Sequence, residues 1–333
     1  MKKILGYLIP LATAAFLLWF AYKDKDLGKM LEEFQSASIT AVLITFGTTL
    51  MAHWIRALRW NMLFEPIGYR ASRTGSFLAV MSGYFANLLV PRAGEISRCT
   101  ILAASDDIPI QNAIGTVLAE RAFDMVMLLL IALAAFGLEY ETLSNFLIKA
   151  QQQYGSPDAG NSNLKIYAIL ALASTGIFVF FFRKTLLKIP LIAKVLDFLK
   201  GLMEGIMSVT KLRQPGLFLF YTVLIWGGYY FTTYFSLWMF GFTSDLGFKA
   251  AFMLLIIGSF GIVVPVPGAV GGPFQVFVAA ALTQLYNKDA DMSLTAASMM
   301  YWSQVFFSMT FGGVCYLLSI IRANEKKRRV SHV

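Results

Sequence analysis

Cysteine and histidine are nearly absent from this 333-residue chain, with Cys99, Cys315, His53 and His332 the only examples. Two cysteines build no disulfide framework, and two histidines leave a histidine-based metal site or catalytic triad little to work with. No Gly-rich phosphate loop closed by Lys-Ser or Lys-Thr occurs. Charge is scarce as well: 14% of residues are charged and 57% are hydrophobic, 29 of them Phe. A soluble domain cannot hide that much apolar surface, so the composition defines an all-α polytopic membrane protein forming a single integral domain. The apolar runs are continuous and do not alternate, which argues against a β-barrel. The net charge of +9 does not require nucleic acid as a partner. Lys and Arg collect beside apolar spans, where they set orientation and meet anionic headgroups.

Six segments are long enough to span a bilayer: about Ile4–Tyr22, Ile39–Trp60, Asn112–Leu138, Leu164–Phe182, Leu217–Phe240 and Leu294–Ile321. Met1-Lys2-Lys3 and the first apolar run resemble a signal peptide. The run is long, however, and no convincing small-residue cleavage site follows, so a retained helix is expected. Two further regions are apolar but interrupted. One runs from Thr74 to Ser105 and breaks at Pro91-Arg92-Ala93-Gly94. The other runs from Phe248 to Leu285 and breaks at Pro265-Val266-Pro267-Gly268-Ala269-Val270-Gly271-Gly272-Pro273. Pro and Gly in such numbers end a helix, and lipid does not tolerate irregular backbone. Each region therefore reads as a re-entrant helical hairpin buried in protein. The alternative makes the second region two kinked spans, for eight in all.

The positive-inside rule then sets the topology. Lys2 and Lys3, the group Arg56, Arg59, Arg70 and Arg73, the stretch Arg183–Pro215, and Lys326-Lys327-Arg328-Arg329 all fall on the cytoplasmic side. The polar loop Glu139–Asn163, poor in Lys and Arg, falls outside. Both termini are thus cytoplasmic in a bacterial-type inner membrane. The first hairpin enters from the cytoplasm and the second from outside. The chain divides into a pseudo-repeat, 1–138 and 164–321, each helix, helix, hairpin, helix, in opposite orientation. Transporters built this way place their substrate between paired interrupted helices. Within 183–215, Leu and Ile mix with Lys184, Lys188, Lys194 and Lys200. That pattern reads as an amphipathic helix anchored on the inner leaflet, or as a regulatory element.

Ionisable groups at membrane depth persist mostly where they pair or line a polar path. Arg92, Glu95 and Arg98 are spaced i, i+3, i+6, so Glu95 is expected to pair with Arg92 or Arg98 within its own helix. Gly94 keeps the turn slim. Glu120 and Asp124, at i and i+4, share one face of their span and repel unless compensated. Arg121 lies on an adjacent face. The compensating cation is expected from Arg92, Arg98, Arg56 or Arg59. A tightly packed carboxylate pair could also carry a proton. Arg56 and Arg59 read equally well as side chains snorkelling at the cytoplasmic interface. Gln275 is the polar side chain nearest the second break. Asp24-Lys25-Asp26 and Asp289-Ala290-Asp291 mimic a metal-dependent transferase motif but sit in short loops placed outside. No cofactor, metal site or catalytic motif is expected.

Three motifs resemble the lysylphosphatidylglycerol synthase transmembrane-region family of flippase-like membrane proteins, which includes the membrane flippase domain of multiple-peptide-resistance factors. They are Phe85-Ala86-Asn87-Leu88-Leu89-Val90-Pro91-Arg92-Ala93-Gly94-Glu95-Ile96-Ser97-Arg98, Glu120-Arg121-Ala122-Phe123-Asp124, and Pro265-Val266-Pro267-Gly268-Ala269-Val270-Gly271. Pro91 and Gly94 stand one residue closer than in the looser family form, Ala269 replaces a Gly, and Phe274-Gln275 stands where an acid often follows. The aminoacyl-transferase domain of some relatives has no counterpart in these residues. The resemblance thus implies binding or translocation of an anionic, zwitterionic or polyprenyl-linked lipid, not lysyl transfer. It implies Asn87, Arg92, Glu95, Arg98, Glu120, Arg121 and Asp124 as substrate residues, with Arg56 and Arg59 nearby. Pro91, Gly94, Pro265, Pro267, Gly268, Gly271 and Gly272 would shape the hairpins. A membrane-embedded lipid transferase and a scaffold for a partner lipid synthase are the other readings, and a homo-oligomer fits any of them.

Overall fold

The computed structural model describes residues 27–90, 93–145, 148, 209, 212–263 and 272–331. The spans expected at Ile4–Tyr22 and Leu164–Phe182, and nearly all of the amphipathic helix expected over 183–215, lie outside the described residues. Described secondary structure is helical throughout: α1 (Leu27–Ser36), α2 (Ile39–Met62), α3 (Arg73–Leu89), α4 (Ala93–Asp106), α5 (Ile110–Leu138), α6 (Pro215–Ser236), α7 (Phe248–Val263), α8 (Pro273–Tyr286) and α9 (Ala290–Ser331), with short 3₁₀ turns between some of them. Among the described residues there is no strand.

The boundaries follow local chemistry. Ser38 and Ser72 cap α2 and α3, accepting hydrogen bonds from the N–H groups of Ala41 at 3.3 Å and Gly75 at 3.0 Å. Pro215 and Pro273 open their helices, where a missing N–H costs nothing. Asn287, at φ 53°, ends α8 in the left-handed region. Asp289 accepts from the N–H groups of Asp291 and Met292, both at 3.0 Å, and so starts α9. That role accounts for the first Asp of the Asp-Ala-Asp triplet; Asp24 and Asp26 lie outside the described residues. In the adjoining turns, the Lys288 ammonium lies 2.7 Å from both carboxylate oxygens of Asp245 and holds that carboxyl below its ordinary range.

Among the described residues, three helices are long and apolar enough to cross a bilayer: Ile39–Ile67, Ile110–Leu138 and Ala290–Lys326. The two interrupted regions form the helix pairs α3/α4 and α7/α8. Their described legs run to 17, 14, 16 and 14 residues, against the roughly 20 residues a crossing needs. At 42 residues, α9 is about 63 Å long and runs well past a hydrocarbon layer of about 30 Å.

Helix α2 packs along α6, α3 folds back on α4, α7 on α8, α3 packs against α9 and α5 against α7. Glycine makes two of these contacts close. A Cβ on Gly228 would stand 2.8 Å from that of Ala52, and one on Gly312 would stand 2.8 Å from the Met81 carbonyl oxygen. One apolar core gathers Trp60, Phe64, Leu102, Ile108 and Phe218 between α2, α4, α5 and α6. Another gathers Leu237, Met239, Leu254, Leu282 and Ala297 where α6 to α9 meet.

The far end of α9 is tied to the first helix pair. Arg322 Nη2 donates to Ser72 Oγ at 2.7 Å and lies 3.4 Å from Asp106 Oδ1. Lys326 Nζ lies 3.1 Å from the Ser105 carbonyl oxygen and 2.6 Å from Asp107 Oδ2. Asp106 also accepts from the Ser72 N–H at 3.2 Å and from Ser105 Oγ at 2.6 Å. Asp106→Ala strands these donors and is expected to cost about 1–3 kcal/mol. The midpoint of thermal unfolding in detergent measures it, and an unchanged midpoint would show that this tie is idle.

Candidate functional site

Three helices bring charge to one place. Helix α2 carries Arg56 and Arg59, α4 carries Glu95 and Arg98, and α5 carries Glu120, Arg121 and Asp124. Helix α6 adds Thr222 and Tyr229. Glu120 and Asp124 are one turn apart on the same face of α5, and Arg56 and Arg59 on the same face of α2, so the two helices meet as a doubled pair.

Glu120 is wholly buried and forms the centre. Its Oε1 accepts from Arg56 Nε at 2.6 Å and from Arg59 Nη2 at 3.1 Å. Its Oε2 lies 2.8 Å from Arg98 Nη2, an ion pair whose atoms are not aligned for a hydrogen bond. Asp124 accepts from Arg59 Nη2 at 2.8 Å and from Arg56 Nη2. Arg56 Nη1 donates to the phenols of Tyr84 at 3.0 Å and Tyr229 at 2.7 Å, and Arg59 Nη1 donates to Thr222 Oγ1 at 3.1 Å. The Arg98 guanidinium lies 4.6 Å from the centre of the Trp60 ring, whose Nε1 donates to Thr116 Oγ1 at 2.9 Å. At the rim, Arg121 Nε donates to Glu95 Oε1 at 2.7 Å, and these side chains are 47% and 44% exposed.

Like charges on Glu120 and Asp124 are tolerated because Arg56 and Arg59 each bridge both. Burying ions is costly, and only close pairing with further hydrogen bonds offsets it. The offset here is incomplete in one direction. Three buried arginines (56, 59 and 98) face two carboxylates (120 and 124), and the rim pair Glu95–Arg121 cancels itself. Among the described residues, one positive charge is in surplus, and Arg59 Nε and Arg98 Nε are buried with no acceptor. Such a cluster suits an anion that brings oxygen atoms.

Several expectations are corrected. Glu95 reaches across to Arg121 on α5, and Arg98 turns inward to Glu120, so Glu95 and Arg98 do not pair within α4. A buried carboxylate demands a cation more strongly than a half-exposed one does, and this outweighs the local pair. Arg56 and Arg59 do not snorkel to an interface: they are 4% and 0% exposed. Asn87 Oδ1 accepts from the Gly94 N–H at 2.8 Å and so caps α4. Gly94 leaves no room for a side chain against the Gly83 carbonyl oxygen and the Asn87 amide. Gly272, at φ 91°, donates its N–H to Oε1 of the buried Gln275 at 2.6 Å. Pro91, Arg92, Pro265, Pro267, Gly268 and Gly271 lie outside the described residues.

The sequence reading missed Tyr84, Tyr229, Thr222 and His53. A signal existed for His53: Thr45, Thr49, His53, Arg56 and Arg59 mark one polar stripe along an apolar helix. Tyr229 and Thr222 sit in an aromatic-rich helix with no comparable stripe.

Apolar helices long enough to cross a bilayer, enclosing a buried arginine–carboxylate cluster, define an integral membrane protein with an internal polar site. The chain belongs to the lysylphosphatidylglycerol synthase TM region family, whose sequence model matches residues 7–312. A 137-residue stretch is 27% identical to the UPF0104 membrane protein MJ1595 of Methanocaldococcus jannaschii. It covers 40% of this chain and 38% of that protein. No solved structure matches the chain.

Proposed function

We propose that the protein binds a lipid with a charged headgroup and moves it between the leaflets of the inner membrane. The observation that carries this reading is the buried cluster with one positive charge in surplus, opening at the half-exposed Glu95–Arg121 pair. Arg98 and Arg121, with Arg92, hold the anionic part of the headgroup. Glu95, Glu120 and Asp124 orient those arginines or meet an amine of the lipid. The helix pairs α3/α4 and α7/α8 act as re-entrant hairpins from opposite faces, in an inverted repeat of six spans with both termini cytoplasmic. Two features support the repeat. The described legs are shorter than a crossing needs, and α3 packs on α9 as α5 packs on α7, the exchange a twofold axis through the α2–α6 contact would produce.

Arg121→Gln separates function from folding. A half-exposed ion pair contributes only about 0–1 kcal/mol, so the variant is expected to insert and unfold much as the parent does. Lipid translocation in reconstituted vesicles, and the charged lipid that co-purifies in mild detergent, are both expected to fall at least tenfold. Parental translocation in the variant would remove Arg121 from the site. Loss of translocation with unchanged co-purifying lipid would place it in the moving step alone.

A further inference from the structure

One titratable group beside the cluster takes no part in it. His53 sits on α2 one turn before Arg56 and is 5% exposed. Its ring lies almost flat on Tyr84, with centroids 4.0 Å apart and planes 27° apart. The rings of Tyr229 and Phe307 stand 6.4 Å away. Tyr84 and Tyr229 are the two phenols that receive hydrogen bonds from Arg56 Nη1. His53 therefore backs the pair of side chains that orients Arg56. Its Nδ1 is buried and has no hydrogen-bond partner among the described residues. A ring needed only for packing would not carry that cost, because Phe would cover Tyr84 equally well.

The groups facing His53 are few. Its own helix supplies Arg56, α3 supplies Tyr84, α6 supplies Tyr229, and α9 supplies the uncharged Phe307. The nearest carboxylates, Glu120 and Asp124, lie beyond Arg56 and are held by arginines. A proton on His53 would thus stand beside a cluster already one positive charge in surplus, with no counter-charge of its own. An anion bound on the arginines supplies that counter-charge.

We infer that His53 is a proton-linked part of the headgroup site: a phosphate-type anion arriving beside Arg56 brings a proton from water onto the imidazole, and its departure returns the proton to water. This rests on the reading of the cluster as a headgroup site. The sign follows from linkage. The complex holds a proton that the empty site does not, so binding tightens as pH falls.

The test uses the full chain in detergent, with phosphatidylglycerol micelles as one probe and inorganic phosphate as the other. Calorimetry in two buffers of different protonation enthalpy counts protons taken up. Affinity is followed between about pH 5 and pH 8, where an imidazole changes charge. The expected result is proton uptake on binding, with affinity rising as pH falls by up to about tenfold per pH unit. His53→Phe, which keeps the ring on Tyr84, and His53→Gln are expected to bind with a flat pH profile. The same linkage with both probes would identify the phosphate group alone as the ligand. Linkage with phosphatidylglycerol only would identify the intact lipid headgroup. Parental binding with no proton uptake, or an unchanged pH profile in His53→Phe, overturns the role of His53 and leaves the headgroup site standing. No binding of either probe by the parent at any pH overturns both. The proton count is read with phosphatidylglycerol, whose phosphodiester does not titrate in this range, and its absence in the parent overturns the role of His53 even if neither variant folds.

Discussion

Glu120→Gln is expected to be the most damaging single change in the protein, costing about 3–5 kcal/mol, the range for breaking a buried ion pair from one side. Glu120 accepts from Arg56 and Arg59 and pairs with Arg98, and it is wholly buried. Gln fills the same volume but withdraws the charge, leaving three buried guanidiniums facing Asp124 alone. The surplus rises from one positive charge to two in a setting where water screens little. The expected readout is a lower unfolding midpoint and a poor yield of inserted protein. Adding Arg98→Met restores the original surplus of one, because a cation leaves with the anion. Much of the lost stability should return, since the two sites are in contact and their effects are not additive. This pair of variants also separates a structural from a functional cluster. A double variant that is stable and still moves lipid would reduce the cluster to an anchor. One that is stable but inactive assigns Arg98 to the cargo. A single variant as stable as the parent would mean that Glu120 is not the centre of the cluster.

The charged site was legible because charge is so rare in this chain. Each acidic or basic residue at membrane depth had to be answered by another, and Arg98, Arg56 and Arg59 were among the named partners of Glu120 and Asp124. The pairing itself was not legible. Helical spacing ranks Glu95 with Arg98 by distance along one helix, but it does not know that Glu120 is buried and Glu95 is half-exposed. That difference is set by how α4 leans on α5, a tertiary fact. The breaks at Pro91–Gly94 and Pro265–Pro273 were informative for the same reason as the charges, because Pro and Gly act locally: α3 ends at Leu89, α4 begins at Ala93 and α8 begins at Pro273. The hydroxyl partners of Arg56 and Arg59 could not be read in this way. Tyr and Thr are as much at home against lipid as inside a bundle, and only the α2–α6 packing selects Tyr229 and Thr222 from their neighbours. His53 lay between these cases: its polar stripe was visible, but its stacking on Tyr84 was not.

Gly94→Val is expected to disable the site from outside it. Gly94 lies in the first turn of α4 and meets α3 backbone to backbone: a Cβ at Gly83 would stand 2.9 Å from the Gly94 carbonyl oxygen and 3.6 Å from Arg98 Cβ. From Gly94, any side chain runs into the Gly83 carbonyl oxygen and the Asn87 amide. These contacts are backbone and a capping side chain, so neither can swing aside cheaply. Overpacking of this kind costs about 1–3 kcal/mol, and displacing the Asn87 cap adds about 1 kcal/mol. The legs must part, and Glu95 and Arg98, one and four residues further along, move with α4. Arg121 then loses Glu95, and Glu120 loses Arg98 while keeping Arg56 and Arg59. The expected outcome is a clear drop in unfolding midpoint and a larger drop in headgroup binding, because binding needs the arginines in place while folding only needs them buried. Gly115→Val is the control: it introduces the same residue on α5 at a position where a Cβ meets nothing within 4 Å, and it should leave both measurements nearly unchanged. Losses at Gly94 with Gly115 silent locate the requirement in the contact between the two legs. Equal tolerance at both positions would mean that the legs are parted at Gly83 and Gly94 in the working protein, and that Arg98 reaches Glu120 by another route.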